Sequence, residues 1–128
     1  MTPFVAASVE WKLLGYGTLD DSARFDVFVD TETIRDLNGN IRFWEGHVFY
    51  SEQPLPSGGS YLRVSILRIV HCGEKSDSDL EAVFYGSDGS VVDRFAARGA
   101  GGLKPVDAGT IRGAVLEFVC DYQRDGGM

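Results

Sequence analysis

One segment of this chain has helical periodicity, and it comes last. Ile111, Ala114, Val115, Phe118, Val119 and Tyr122 recur at i, i+3, i+4, i+7, i+8 and i+11, so they share one apolar stripe. Arg112, Glu117, Asp121 and Gln123 lie outside it. Asp107 or Thr110 can cap this helix, which is expected to run to about Gln123. Everything before it reads as strand. A lone helix with one stripe needs one sheet face to cover it. The chain is therefore predicted to be α+β, with about six strands in an antiparallel sheet and a C-terminal helix packed on one face. Cys120 is awkward, because it falls roughly opposite Ile111 with Leu116 beside it. Either the helix is covered on two sides or it distorts before Cys120, and the distortion is the expectation.

The strands announce themselves by alternation and by their turns. Residues 9–16 carry Val9, Trp11 and Leu13 on one parity and Leu14 and Tyr16 on the other. Residues 23–31 place Phe25, Val27 and Val29 on one face and Asp26, Phe28 and Asp30 on the other. Asn38-Gly39 is a hairpin signal, followed by a strand over 40–50. Pro54, Pro56, Gly58 and Gly59 mark a loop before a long strand over 60–72. The polar run Gly73 to Asp79 reads as a loop. Leu80 to Tyr85 and Val91 to Phe95 then form a hairpin around Asp88-Gly89. Residues 97–104 are glycine-rich and expected to be mobile. The organisation is one domain over 9–123, with a flexible N-terminus at 1–8 and a frayed tail at 124–128.

Charge and cysteine count narrow the function classes. With 44% apolar residues the chain can bury a real core, which excludes a disordered tail or a fibre. Nineteen acidic residues against 12 Lys and Arg give a net charge of -7 and argue against nucleic acid as a partner. No stretch approaches the roughly 20 apolar residues of a membrane span, and the first residues carry no intact signal peptide. Cys72 and Cys120 belong to no C-x-x-C pair, and with only His47 and His71 beside them they offer no regular zinc spacing. A single disulfide and two buried thiols both remain open on this count. Joining residues 72 and 120 would be worth about 4 kcal/mol by loop closure.

No constellation carries a reaction. His71 and Cys72 are strand neighbours and point to opposite faces, so they form no nucleophile–base dyad. Asp26 and Asp30 are roughly 13 Å apart by strand rise, beyond the about 5–9.5 Å of glycosidase carboxylates. Glu74, Asp77, Asp79 and Glu81 lack the spacing and central glycine of a calcium loop. Gly99, Gly101, Gly102 and Lys104 do not complete a phosphate-binding loop, and Asp107 would repel the anion. The reading is a protein without catalytic residues, metal or cofactor. The aromatics are more informative: Phe28 shares a face with Asp26 and Asp30, and Trp44 shares parity with Arg42. Aromatics interleaved with charges on an uncovered face make Asp26, Phe28, Asp30, Arg42 and Trp44 a candidate binding surface. The alternative is that these rings pack beneath loops or against each other.

An ordered set of positions resembles the bacterial surface-adhesin protein E-like family. It comprises Trp11 with Gly15, then Asp30, Thr33 and Ile34 after an aromatic-rich strand, then Gly39, Trp44, Cys72, Tyr85 with Gly89, and Val119-Cys120 near the end of a terminal helix. The resemblance covers about residues 9–122. It implies a curved antiparallel sheet with a terminal helix, a strand-to-helix disulfide between Cys72 and Cys120, and a secreted, periplasmic or cell-surface location after signal removal. It also implies a non-enzymatic role in recognising a host or envelope protein. The glycine-rich loop at 97–104 departs from the family's pattern. Two other readings stand beside it: a small α+β protein binding a small molecule between helix and sheet, and a cytoplasmic protein with free thiols. Open sheet edges also invite homodimers.

If Cys72 joins Cys120, the long strand's faces follow. Leu62, Val64, Ile66, Arg68 and Val70 should face the helix, and Tyr61, Arg63, Ser65, Leu67, Ile69 and His71 should point away. Arg68 conflicts with an apolar layer, since an unpaired buried guanidinium costs several kcal/mol. The expectation is a β-bulge at Arg68 that flips its parity. The alternative is a helix carboxylate, Glu117 or Asp121, that pairs with it.

Overall fold

A computed structural model describes residues 10–19, 22–96 and 102–124. Six long strands run as an antiparallel meander: β1 (Trp11–Leu19), β2 (Ala23–Leu37), β3 (Asn40–Pro54), β4 (Ser60–His71), β5 (Ser76–Tyr85) and β6 (Val91–Ala96). A two-residue strand, β7 (Lys104–Pro105), pairs with the start of β5. One helix, α1 (Ile111–Arg124), ends the described residues. The predicted α+β architecture holds. The expected flexible N-terminus at 1–8, most of the frayed tail, and the first five residues of the glycine-rich loop lie outside the described residues.

Local chemistry explains the joints. Asn38 and Gly39 both take positive φ, 59° and 94°, as the two-residue β2–β3 turn requires. Five strand pairings carry an irregularity, and three of these lie among β1 to β4. Leu14 is an extra residue against β2, residues 31–34 swell β2 against β3, and residues 49–52 swell β3 against β4. Such bulges raise local twist and curl a sheet around its core. The aromatic row Phe25, Phe49, Tyr61, Phe84 and Phe95 then meets ring to ring across five strands, at centroid distances of 4.9, 5.6, 4.8 and 5.6 Å. Tyr61 was expected to face away. It packs inward because the swelling at 49–52 breaks the alternation just before it.

The helix covers the concave face. Val27, Val29, Phe43, Val115 and Val119 are fully shielded there. Thr110 is the cap: its Oγ1 accepts the Gly113 amide at 3.0 Å. The expected distortion before Cys120 is absent, and α1 runs unbroken to Arg124. The helix is covered on two sides instead. Gly113 and Leu116 are also buried, and Val106, held by the Lys75 carbonyl at 2.9 Å, lies among the residues packed on the core. A disulfide joins Cys72, at the end of β4, to Cys120, with Cα atoms 5.9 Å apart. Closing that loop is worth about 4 kcal/mol.

Arg68 faces the core, 2% exposed, and β4 runs in unbroken register with β3 past it. The expected bulge at Arg68 is thus corrected: the irregularity is in the neighbouring strand, where Leu80 of β5 is the extra residue. The alternative partners are corrected as well, because Glu117 meets Lys75 and Asp121 meets Arg124. Glu45 of β3 (2.6 Å) and Asp79 of β5 (2.9 Å) pair with Arg68. The bulge at Leu80 aims Asp79 inward and sends Glu81 outward to Arg94. The run 76–79, read as loop, is therefore the first part of β5. Its acidic residues suit a strand here because guanidinium groups neutralise them.

Candidate functional site

Two polar constellations sit on opposite faces of the sheet. On the concave face a chain of contacts runs His47–Glu45 (2.5 Å), Glu45–Arg68 (2.6 Å), Arg68–Asp79 (2.9 Å) and Asp79–Arg112 (3.2 Å). Arg112 closes it with two bonds to Asp77, at 2.9 and 3.0 Å. Burial opposes ionisation of Asp79, but the charges and hydrogen bonds of Arg68 and Arg112 outweigh it and hold its carboxyl below the usual range. Burial likewise works against the charge on Arg112, and Asp77 and Asp79 overcome it and raise its pKa. These groups are spent on one another. Asp77, Asp79 and Glu81 of the weighed metal cluster are all engaged by arginines, and no metal-holding group of His, Cys, Asp and Glu occurs among the described residues. Between helix and sheet the apolar core closes around Val27, Val29, Phe43, Val115 and Val119, and the charged groups described there are paired with one another. His71 accepts the Glu74 amide at 3.1 Å, as an ordinary turn contact.

The convex face is different. No helix covers it among the described residues, and register places Trp11, Leu13, Tyr16, Arg24, Asp26, Phe28, Arg42, Trp44, Val48, Arg63 and Leu67 along it. Two wells lie side by side. Trp11, Phe28, Gly46, Val48 and Arg63 line a groove of about 170 Å³. A Cβ on Gly46 would stand 3.1 Å from the Trp11 ring, so the bare glycine lets the indole lie across the sheet. Glu32, Thr33, Arg35, Arg42, Trp44 and Leu67 line the second well, of about 460 Å³.

Of the residues singled out from sequence, Phe28 lines the first well, and Arg42 and Trp44 line the second. Asp26 lies nearby and accepts the Tyr50 hydroxyl at 3.1 Å. Asp30 is different: it is 3% exposed, and its Oδ1 accepts the amides of Glu10 (3.0 Å) and Glu32 (3.1 Å). It fixes the entry to β1 and the start of the β2 swelling. Parity missed Trp11 and Arg35 for one reason each. The ring of Trp11 crosses onto a strand two places away, and Arg35 lies beyond a swelling that resets alternation. The sequence does hold one sign of a close approach on this face, the glycine Gly46 inside a strand, but only the structure shows that Trp11 makes it.

The family model for surface-adhesin protein E matches residues 11–121. That span includes both wells and both cysteines. No curated protein and no solved structure matches the chain.

Proposed function

We propose that this chain, which belongs to the surface-adhesin protein E family, is a non-enzymatic recognition module that is secreted or held at the cell envelope and binds through the convex face of its sheet. One observation carries the reading: Trp11, Phe28 and Trp44 line open wells on a face that α1 leaves uncovered. Aromatic rings in shallow wells are the anchors that protein interfaces use. The disulfide supports the compartment, because such bonds persist where the surroundings are oxidising. It also counts against a cytoplasmic protein with free thiols, since no free cysteine occurs among the described residues. The pairing of Glu45, Arg68, Asp79 and Arg112 with one another counts against a small-molecule pocket between helix and sheet.

The test is retention of protein-coated beads on surfaces bearing extracellular-matrix or plasma proteins. Beads with the native chain are expected to be held. Trp11→Ala and Trp44→Ala should each weaken retention about tenfold, the loss of a typical aromatic anchor, with melting temperature little changed. Native beads held no better than bare beads would refute the reading.

A further inference from the structure

The arginines divide by pairing. Arg68, Arg94, Arg112 and Arg124 each meet a carboxylate within ion-pair distance. Arg24, Arg35, Arg42 and Arg63 meet none among the described residues, and all four stand on the convex face. Carboxylates are not scarce, since acidic residues outnumber Lys and Arg 19 to 12. That these four stand unpaired on one face is a matter of placement.

The geometry holds those guanidinium groups ready. Arg35 and Arg42 are directly opposite across β2 and β3, an arrangement that repels unless an anion comes between. Arg35 Nη1 is fixed by donating to the carbonyls of Glu32 (2.8 Å) and Ile34 (2.9 Å). Glu32 also lines their well, which leaves it one positive charge in excess. Arg63 lies 4.0 Å over the Tyr85 ring, and Arg24 lies 4.0 Å over Tyr16 and 5.1 Å from Tyr50. Stacking holds a guanidinium flat and leaves its edge donors free for a carboxylate. Arg42 is opposite Ile69, which stands on β4 about 20 Å from Arg63 at the usual strand rise. The Trp11 groove lies at the Arg63 end.

We infer that this face receives an extended acidic segment of a partner protein. Carboxylates spaced about six residues apart meet Arg35 and Arg42 at one end and Arg63 at the other. An apolar side chain between them enters the groove of Trp11, Phe28 and Val48. The inference rests on the recognition role proposed above and gives its partner a chemistry.

Fluorescence anisotropy tests it, with a labelled short peptide alternating glutamate with leucine and tyrosine, a glutamine counterpart, and heparin as a non-protein polyanion. The acidic peptide should bind at least about tenfold more tightly than the glutamine one, and more weakly as salt rises. Arg42→Glu and Arg63→Glu should each weaken it at least about tenfold. Arg124→Glu, on a helix cation already paired with Asp121, should leave it unchanged. Arg42→Gln and Arg63→Gln, with melting curves, separate lost binding from lost folding. Equal binding of the two peptides overturns the inference. So does tighter binding of heparin through the same arginines, or a dimer seen by light scattering that excludes the peptide and that Arg63→Glu dissolves. Bead retention that survives Arg42→Glu and Arg63→Glu sinks the acidic partner alone. Acidic-peptide binding without bead retention sinks the adhesive role instead.

Discussion

Arg63 and Arg68 belong to one strand and face opposite ways, and the sheet treats them in opposite fashion. Arg68 is buried and answered by Glu45 and Asp79. Arg63 stays at the surface with only the Tyr85 ring beneath it. Burial makes the difference. A guanidinium out of water must have its charge and its donors met, so the concave face recruits carboxylates from both neighbouring strands. On the convex face water does that work, and an unpaired cation is tolerated there and available to a ligand.

The largest expected effect tests that contrast directly. Arg68→Met leaves Glu45 buried without its cation and should cost about 3–5 kcal/mol in denaturant unfolding. Arg63→Met should cost at most about 1 kcal/mol, the worth of its stacking on Tyr85. Equal losses at the two sites would break the comparison. Replacing Glu45, Arg68 and Asp79 together with apolar residues of similar size should recover much of the loss, because removing a whole buried ionic group is often neutral.

Two glycines sharpen the same contrast at smaller scale. A Cβ at Gly113, on the helix, would stand 2.6 Å from the Asp107 carbonyl, which is backbone and cannot step aside cheaply. Gly113→Ala should cost about 1–3 kcal/mol. At Gly46 the same Cβ meets only the edge of the half-exposed Trp11 ring, at 3.1 Å. Gly46→Ala should therefore leave stability within about 0.5 kcal/mol and show instead as weaker bead retention through a displaced Trp11.

The smallest effect is in acid. The folded chain holds the Asp79 carboxyl below its unfolded value, which is about 3.9. Its contribution is present above that value and is lost as pH falls through the folded one. Asp79 is about half exposed, so screening keeps the contribution below about 1 kcal/mol. Between the native chain and Asp79→Asn, the stability difference should shrink below pH of about 4. A difference that stays constant through that range would place the stabilisation elsewhere.

The alternation of Phe25, Val27 and Val29, the turn at Asn38-Gly39 and the single helical stripe determined the architecture by themselves. Each is local chemistry: a period of two, a pair of residues that accept positive φ, and a period near 3.6 whose apolar side has to be covered. The inward set Val64, Ile66, Arg68 and Val70 was legible in the same way, and so was the outward set containing Arg63 and Leu67. What local periodicity does not hold is an extra residue in a strand. Leu80, the swelling at 31–34 and the swelling at 49–52 each shift parity, and only strand pairing reveals where. Those shifts turned Tyr61 inward, put Asp79 rather than a helix carboxylate on Arg68, and set Arg35 against Arg42. Asp30 shows the same limit: its alternation placed it on the convex face, but its carboxylate was claimed by the amides of Glu10 and Glu32. Which charge meets which is decided by residues far apart in the chain, and that is a property of the folded sheet.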